Sequence, residues 1–490
     1  MHARAYLRRC SFFPVLAAAL WLSSCATAIG PRYDIEKQEI SVQFESQPNL
    51  AIRVQADYRL RNTGNQPLDA LEVRLAGRRL FHLVQSQALW DGSALPLQTD
   101  SSVPRNTVLS LPQPWRVGER HTLRLDSEIV NPPANEPGSR FAPDAFFLPS
   151  EGWAPELLPP HGLFPEGGIP PATWLLQVTV HDGFLVHMSG RLKRNSRHGS
   201  ETILQSVQGP QDRYPFVVAG RYKQVVAEAE GGKVFLWTRG GETPANMNSA
   251  AEAMVKASRA YTATFGPPAR STQQLWIVEC PAVPGCFSVT ASSYAEFLGA
   301  SSSQVTSELA SADTLIMDVG GGPLKLAAAA PALAATWLGY GQNPAFYEQQ
   351  PPLSALPAFA SALGLEAIEG PASRTETIRR ALQLIPTNSA TPRAEDPSVT
   401  RAKSFLFFFA LEDRFGQDVF RRAINHMLTA RRGRGFDLAD LIAAFEQETH
   451  QNVAEFERQW MKRPGVPQDF RLRYENASAS NLFTFKETVP

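Results

Sequence analysis

Apolar and polar residues alternate along "LAIRVQADYRLRN", where Leu50, Ile52, Val54, Ala56, Tyr58 and Leu60 fall on one side of an extended chain. A period of two marks a strand with one face buried and one face wet, so this segment predicts a half-buried strand. "TGNQPLDALEVRL" adds a Gly/Asn/Pro turn and a second alternating run through Leu71, Val73 and Leu75. Further runs lie at His121 to Leu125, "WLLQVTV", "FLVHMSGRL" and "FVVAGRYKQVVAEA", with proline and glycine clusters between them. The pattern predicts an antiparallel sandwich or saddle over about residues 35 to 230. The stretch "FFLPSEGWAPELLPPHGLFPEGG" carries too much proline for regular structure.

After "GGKVFLWTRGG" the period lengthens. Met247, Ala250, Ala251, Met254, Ser258, Tyr261 and Phe265 recur at three- and four-residue steps, and "GPP" supplies a helix stop. One strand, "QLWIVEC", follows. Helices are then expected at Arg374 to Leu384, Val399 to Phe415, Val419 to Leu428 and Leu438 to Trp460, with Asp437 placed to cap the last. "IPTNSATPRAEDPS" reads as a loop within this half. The expected fold class is α+β and multidomain, an N-terminal antiparallel β saddle or sandwich (residues 35–230) followed by a mainly helical domain (231–475) and a tail (476–490). A chain of 490 residues with 43% hydrophobic content holds more than one core.

The N-terminus bears on location. Arg4, Arg8 and Arg9 form a basic region, Phe12 to Leu22 an apolar stretch short for a membrane span, and Leu22-Ser23-Ser24-Cys25 follows. This end resembles the bacterial lipobox. The resemblance implies a signal peptide at 1–24, lipidation of Cys25, a tether at 25–34 and a membrane attachment through acyl chains worth about 0.8 kcal/mol per buried CH₂. The alternative is an ordinary secretory signal cut near Ala26 to Ala28. Ala26 after the cysteine points to the periplasmic face of the outer membrane. Lys plus Arg and Asp plus Glu both number 47, and removal of the signal leaves 44 against 47. Neither balance builds the positive field of a nucleic-acid-binding protein, so no nucleic-acid partner is expected.

With Cys10 removed and Cys25 lipidated, Cys280 and Cys286 remain, in an oxidising compartment where they can pair or stay reduced. A loop that short would add only about 2 kcal/mol through chain entropy. A zinc motif would need a second ligand pair.

The order of a β saddle, "AGRY", a long helix ending in "FGPP", a strand ending in "VECP", an apolar helix with tryptophan and a closing "LIAAFEQETHQNVAEFERQWMKRPGVP" resembles the aminopeptidase N family of zinc peptidases, the gluzincins with a thermolysin-like catalytic domain. "KSFLFFFALEDRFGQDVFRRAI" is similar to the family's helix pair after the active site. The likeness covers about residues 40 to 475. In that family the zinc helix reads H-E-x-x-H-x-W and a later glutamate closes the site. Histidines four apart share one helix face, and the glutamate between them is general base for the metal-bound water.

Setting Trp337 on the family's tryptophan places Pro331 and Ala335 at the histidine positions, Ala332 at the base and Ala355 near the third ligand, one residue beyond the usual interval. No histidine occurs between His198 and His426. The family's amine-binding glutamate would fall in "PGCFSVT", which has no acid, and its transition-state tyrosine near Arg401. A structural zinc site contributes about 10–16 kcal/mol of apparent binding free energy, and alanine and proline give it no donor atom. Pro331 also costs roughly 3 kcal/mol inside a helix, so the helix begins or kinks there. "LKLAAAAPALAATWL" reads as a dry core helix, and zinc, which the family implies, is not expected as a cofactor.

Other candidates are weaker. "DVGGGP" at Asp318 to Pro323 lacks the Gly-Lys-Ser/Thr ending of a phosphate loop, and no G-x-S-x-G elbow exists. Glu279, Asp313 and Asp318 are carboxylates at strand or loop ends, where solvation is the usual role. His181 and His187 are six apart with "DGF" between them, which reads as a turn, and a metal site would need another donor. Three functional expectations follow. They are an inactive, lipid-anchored pseudo-peptidase that binds a peptide or cell-envelope protein, an active hydrolase with a non-standard site, or a structural lipoprotein whose cleft is filled by side chains such as Trp337 and Phe359.

Overall fold

A computed structural model describes residues 32–46, 50–75, 81–97, 107–132, 140–149, 152–158, 173–209, 215–229, 232–240, 244–267, 274–281, 297, 307–311, 313–317, 333–334, 337–338, 351–386, 396–431 and 436–475. Its N-terminal strands are β1 (Tyr33–Glu45), β2 (Ala51–Asn62), β3 (Leu68–Arg74), β4 (His82–Trp90) and β5 (Ser93–Leu95). Next come β6 (Thr107–Trp115), β7 (Arg120–Val130), β8 (Phe141–Ala142), β9 (Ala145–Leu148) and β10 (Glu156–Leu158). Then follow β11 (Trp174–His181), β12 (Leu185–Met188), β13 (Arg191–His198), β14 (Glu201–Gln208) and β15 (Val217–Gly220).

An eight-stranded sheet runs β13-β14-β11-β1-β2-β7-β4-β5, with β1 and β11 parallel and the other neighbours antiparallel. The alternating pattern sets its sidedness: Ile52, Val54, Ala56, Tyr58 and Leu60 of β2 are buried and the residues between them are not. That inner face packs on Leu71 and Val73 of a three-stranded sheet, β10-β3-β6, and on Phe146, Val217 and Ala219 of a four-stranded sheet, β12-β15-β9-β8. At about 25 cal/mol per Å² of apolar area removed from water, this shared core is what holds the sandwich.

The second half opens with β16 (Lys223–Ala229), β17 (Gly232–Thr238), β18 (Gln274–Glu279), β19 (Ser307–Ser311) and β20 (Thr314–Met317), in the order β16-β17-β18-β20-β19. Along β17, β18 and β20 both faces of this sheet carry buried residues, while β16 is largely exposed. Ile277, Leu315 and Met317 point to the helices, while Val278, Cys280 and Ile316 pack with Phe147 and Val218 of the four-stranded sheet and with Phe216 just before β15. The helices are α1 (Pro244–Phe265), α2 (Leu356–Glu369), α3 (Pro371–Gln383), α4 (Pro397–Phe415), α5 (Gln417–Ala430), α6 (Leu438–Thr449), α7 (Val453–Lys462) and α8 (Gln468–Glu475).

From Ala402 to Glu412 every residue of α4 is buried, so the other helices wrap it on all sides. Its charged end is held by a network: Arg374 of α3 donates to Glu412 at 2.6 Å, lies 3.4 Å from Glu366 of α2 and sits over the Phe409 ring. Burial works against the charge on Arg374, but Glu412 and Glu366 more than offset it and raise its pKa. Lys403, also buried, donates to the carbonyls of Met461 and Arg463 at the end of α7, where the helix dipole favours a cation.

Several expectations change. "FVVAGRYKQVVAEA" is two strands, because the chain turns at Arg221 and Tyr222 and passes from the four-stranded to the five-stranded sheet. "FLVHMSGRL" also divides, at Ser189 and Gly190, whose φ of +81° suits a residue without Cβ. The proline-rich stretch holds β9 and β10, since strands this short fit between prolines. Beside "QLWIVEC" stand β19 and β20, which the sequence reading missed. The helix read from Leu438 to Trp460 is α6 and α7, broken where His450 adopts the left-handed conformation and Asn452 caps α7. Asp437 does cap α6, in a capping box with Asp440.

Candidate functional site

The segment aligned with the family's zinc helix, expected to be a dry core helix, is described at four positions. Leu338 N donates to Ala334 O at 3.3 Å, which closes a helical turn, and Leu333, Ala334, Trp337 and Leu338 are all buried. Trp337 packs on α1, its ring centroid 5.2 Å from that of Tyr261 and its indole N–H donating to Thr262 Oγ1 at 3.3 Å. α1 in turn lies close to α2, because Gly364 faces the Tyr261 hydroxyl and a Cβ there would clash with it. Burial raises the pKa of Tyr261, so it is an uncharged phenol. Pro331, Ala332 and Ala335 lie outside the described residues.

Ala355 ends a short 3₁₀ turn, Leu353–Ala355, that leads into α2. It is fully buried and presents a methyl group. One turn on, Phe359 is packed among Phe408, Phe409 and Phe420 at centroid distances of 4.9–5.4 Å. Among the described residues, no three His, Cys, Asp or Glu side chains converge in a way that could hold a metal ion. The donor set here, a methyl group, aliphatic chains, an indole and a threonine hydroxyl, does not fit the zinc ion of a peptidase.

The remaining sequence candidates are scattered. His181 ends β11 and meets Ser46 at 3.2 Å, whereas His187 sits in β12 of another sheet, with Gly183 in the turn between them. Glu279 accepts a hydrogen bond from the backbone N–H of Arg239. Asp313 accepts from the Thr314 hydroxyl at 2.9 Å. Arg401 is half-buried near the start of α4. Cys280 is buried and disulfide-bonded, and its partner lies outside the described residues, as do Cys286, Cys25 and Asp318.

A half-buried polar cluster lies at the domain junction, apart from the Arg374 and Lys403 contacts of the helical core. His187 stacks on Trp276 of β18 (4.1 Å, 19°), and its Nε2 is 2.8 Å from Thr314 Oγ1 of β20. Burial pushes the His187 pKa down to about 4 against the pull of Asp313, so the ring is neutral near pH 7. Beside it, Arg239 pairs with Asp144 of the β8–β9 turn and donates to the carbonyl of Pro281. These contacts tie the two domains together. Sequence reading treated His187 only as one of a pair; a histidine within a four-residue apolar strand was the available signal.

No family model matches the chain, and no curated protein matches it. The similarity is in structure. An M1 zinc metallopeptidase from Deinococcus radiodurans superposes with a TM-score of 0.54 at 15% identity, over 89% of this chain and 95% of that one. A mutant from the same organism, bound to a Tyr-Ser-Ala substrate, gives 0.55 at 16% identity over 89% and 96%. Legionella pneumophila aminopeptidase A in complex with aspartic acid gives 0.56 at 11%, over 89% of this chain but only 50% of its own length. The chain has the two-domain fold of the M1 peptidases.

Proposed function

We propose that this M1-like chain is a catalytically inactive pseudo-peptidase, anchored at Cys25 on the periplasmic face of the outer membrane, that acts by binding a peptide or a cell-envelope protein. Ala355 carries the reading: a buried methyl group near the position of the family's third zinc ligand, next to an aromatic cluster, offers no donor to a metal. Sequence supports it independently, since proline and alanines occupy the histidine and base positions and no histidine occurs between His198 and His426. Cys280 and Cys286 form the disulfide in this reading, in keeping with an oxidising compartment.

The burial of Trp337 and Phe359 favours a second form of the same idea, a structural lipoprotein with its cleft closed by packing. The full chain, extracted from membranes in mild detergent, is expected to hold no stoichiometric zinc by elemental analysis. It should show no aminopeptidase turnover on a Tyr-Ser-Ala peptide with or without added zinc. One zinc per chain with chelator-sensitive turnover would overturn both forms. Labelled peptide bound by the wild type but not by a cleft variant separates the first form from the second.

A further inference from the structure

The outer face of the eight-stranded sheet is unusual in what it is made of. The strand register sets Gln205, Gln177, Ser41, Gln55, Asp126 and Gln87 side by side across six strands, a row about 24 Å long at roughly 4.8 Å per strand. The next row along the strands carries Thr179, Gln43, Arg53, Glu128 and Gln85. Between them the two rows line a groove of about 450 Å³, and a second groove of about 370 Å³ lies over the adjoining Glu39, Asp57 and Arg124.

The cations on this face are paired and carboxylates outnumber them, which disfavours an anionic ligand. Arg53 lies 2.8 Å from Glu45 and 3.4 Å from Glu128, and Arg124 lies 2.7 Å from Asp57. Asp126 has its pKa raised by partial burial, with Arg124 opposing and Asp57 adding to the shift. The amides are less occupied. Gln205 donates to Gln177 and Gln55 to Asp57, which leaves the Gln177 amide N–H groups open, while Gln43, Gln85 and Gln87 make no side-chain hydrogen bond to another described residue. Each amide offers donors and an acceptor at once, as a sugar hydroxyl or acetamido group also requires.

We propose that this face binds an uncharged glycan, recognised through its hydroxyl and acetamido groups by the glutamine rows. The backbone here is already paired within the sheet, so a peptide could not add as a strand, and the rows offer no apolar pockets for its side chains. The rows also carry no aromatic ring for stacking, so the sugar is gripped by its polar edges. This site is separate from the peptidase-like centre and stands whether or not that centre is silent.

The test is calorimetric titration of the full chain in detergent with chitotetraose, at low and high salt. Saturable binding that barely changes with salt is expected, weakened about tenfold in Gln87→Ala/Gln177→Ala and unchanged in Arg458→Ala on α7. Matched melting temperatures would show that the double variant is folded, and Gln43→Ala/Gln85→Ala gives a second reading of the same groove. Absence of saturable heat, binding that both double variants retain in full, or displacement of the sugar by an uncharged Ser/Asn-rich peptide of equal length would each overturn the proposal.

Discussion

Around Trp337 the contacts are a tyrosine ring and a threonine hydroxyl, within a core of leucine, alanine and phenylalanine. Around His187 they are an indole stacked at 4.1 Å, a threonine hydroxyl and the charge of Asp313. The first region is packed like the centre of any helical domain. The second has a half-buried titratable ring, and its partners Trp276, Thr314 and Asp313 all come from the opposite domain. Apolar packing gives a core its stability without direction, whereas hydrogen bonds and stacked rings fix orientation. At the junction such directional contacts hold one domain against the other, as the Arg374–Glu412 pair does within the helical domain.

Packing in the helical core is the larger lever. Phe359→Ala should cost about 4 kcal/mol in denaturant unfolding, since four phenylalanines meet there and the cavity cannot collapse. A loss below about 1 kcal/mol would mean that the region is loosely filled and the contrast with the junction is false. Close behind, Glu412→Ala strands Arg374 beneath Phe409 and should cost about 3 kcal/mol, with Glu366 making up only part of it.

The junction is tested by pH. The unfolded chain protonates its histidines near the ordinary value of about 6.5, while folded His187 waits until about 4. The unfolded state therefore binds the extra proton between those values. The contribution of His187 is complete above pH 6.5 and is lost as pH falls toward 4, on the order of 2 kcal/mol once solvent screening of the half-buried ring is discounted. His187→Gln should flatten that part of the stability profile, and a profile unchanged by the substitution would show that the ring is solvated. The smallest effect belongs to a site in neither region: Asp437→Ala removes the capping box of α6 and should cost about 1 kcal/mol.

What could be read along the chain was whatever repeats with a regular period. The strand at Ala51–Asn62 and the helix at Pro244–Phe265 each show one face to the core, and their sequences say so. β20 could not be read in this way, because Leu315, Ile316 and Met317 are buried on both faces and short apolar runs have no telling period. His187 was similarly opaque. Nothing local reveals that a ring on β12 will meet Trp276 and Thr314, 89 and 127 residues further on.

The sequence by itself determined the side chains, and with them the sidedness of the large sheet, the cap at Asp437, and the lack of donor atoms at Pro331, Ala332, Ala335 and Ala355. Those follow from local chemistry, which distance along the chain does not alter. Tertiary structure alone decided that the hairpin β16–β17 joins the second domain, that Phe359 closes on three other phenylalanines, and that six glutamines gather on one face. Each of these depends on strand order and helix packing, where residues far apart in sequence are brought together by the burial of surfaces that no single segment can bury alone.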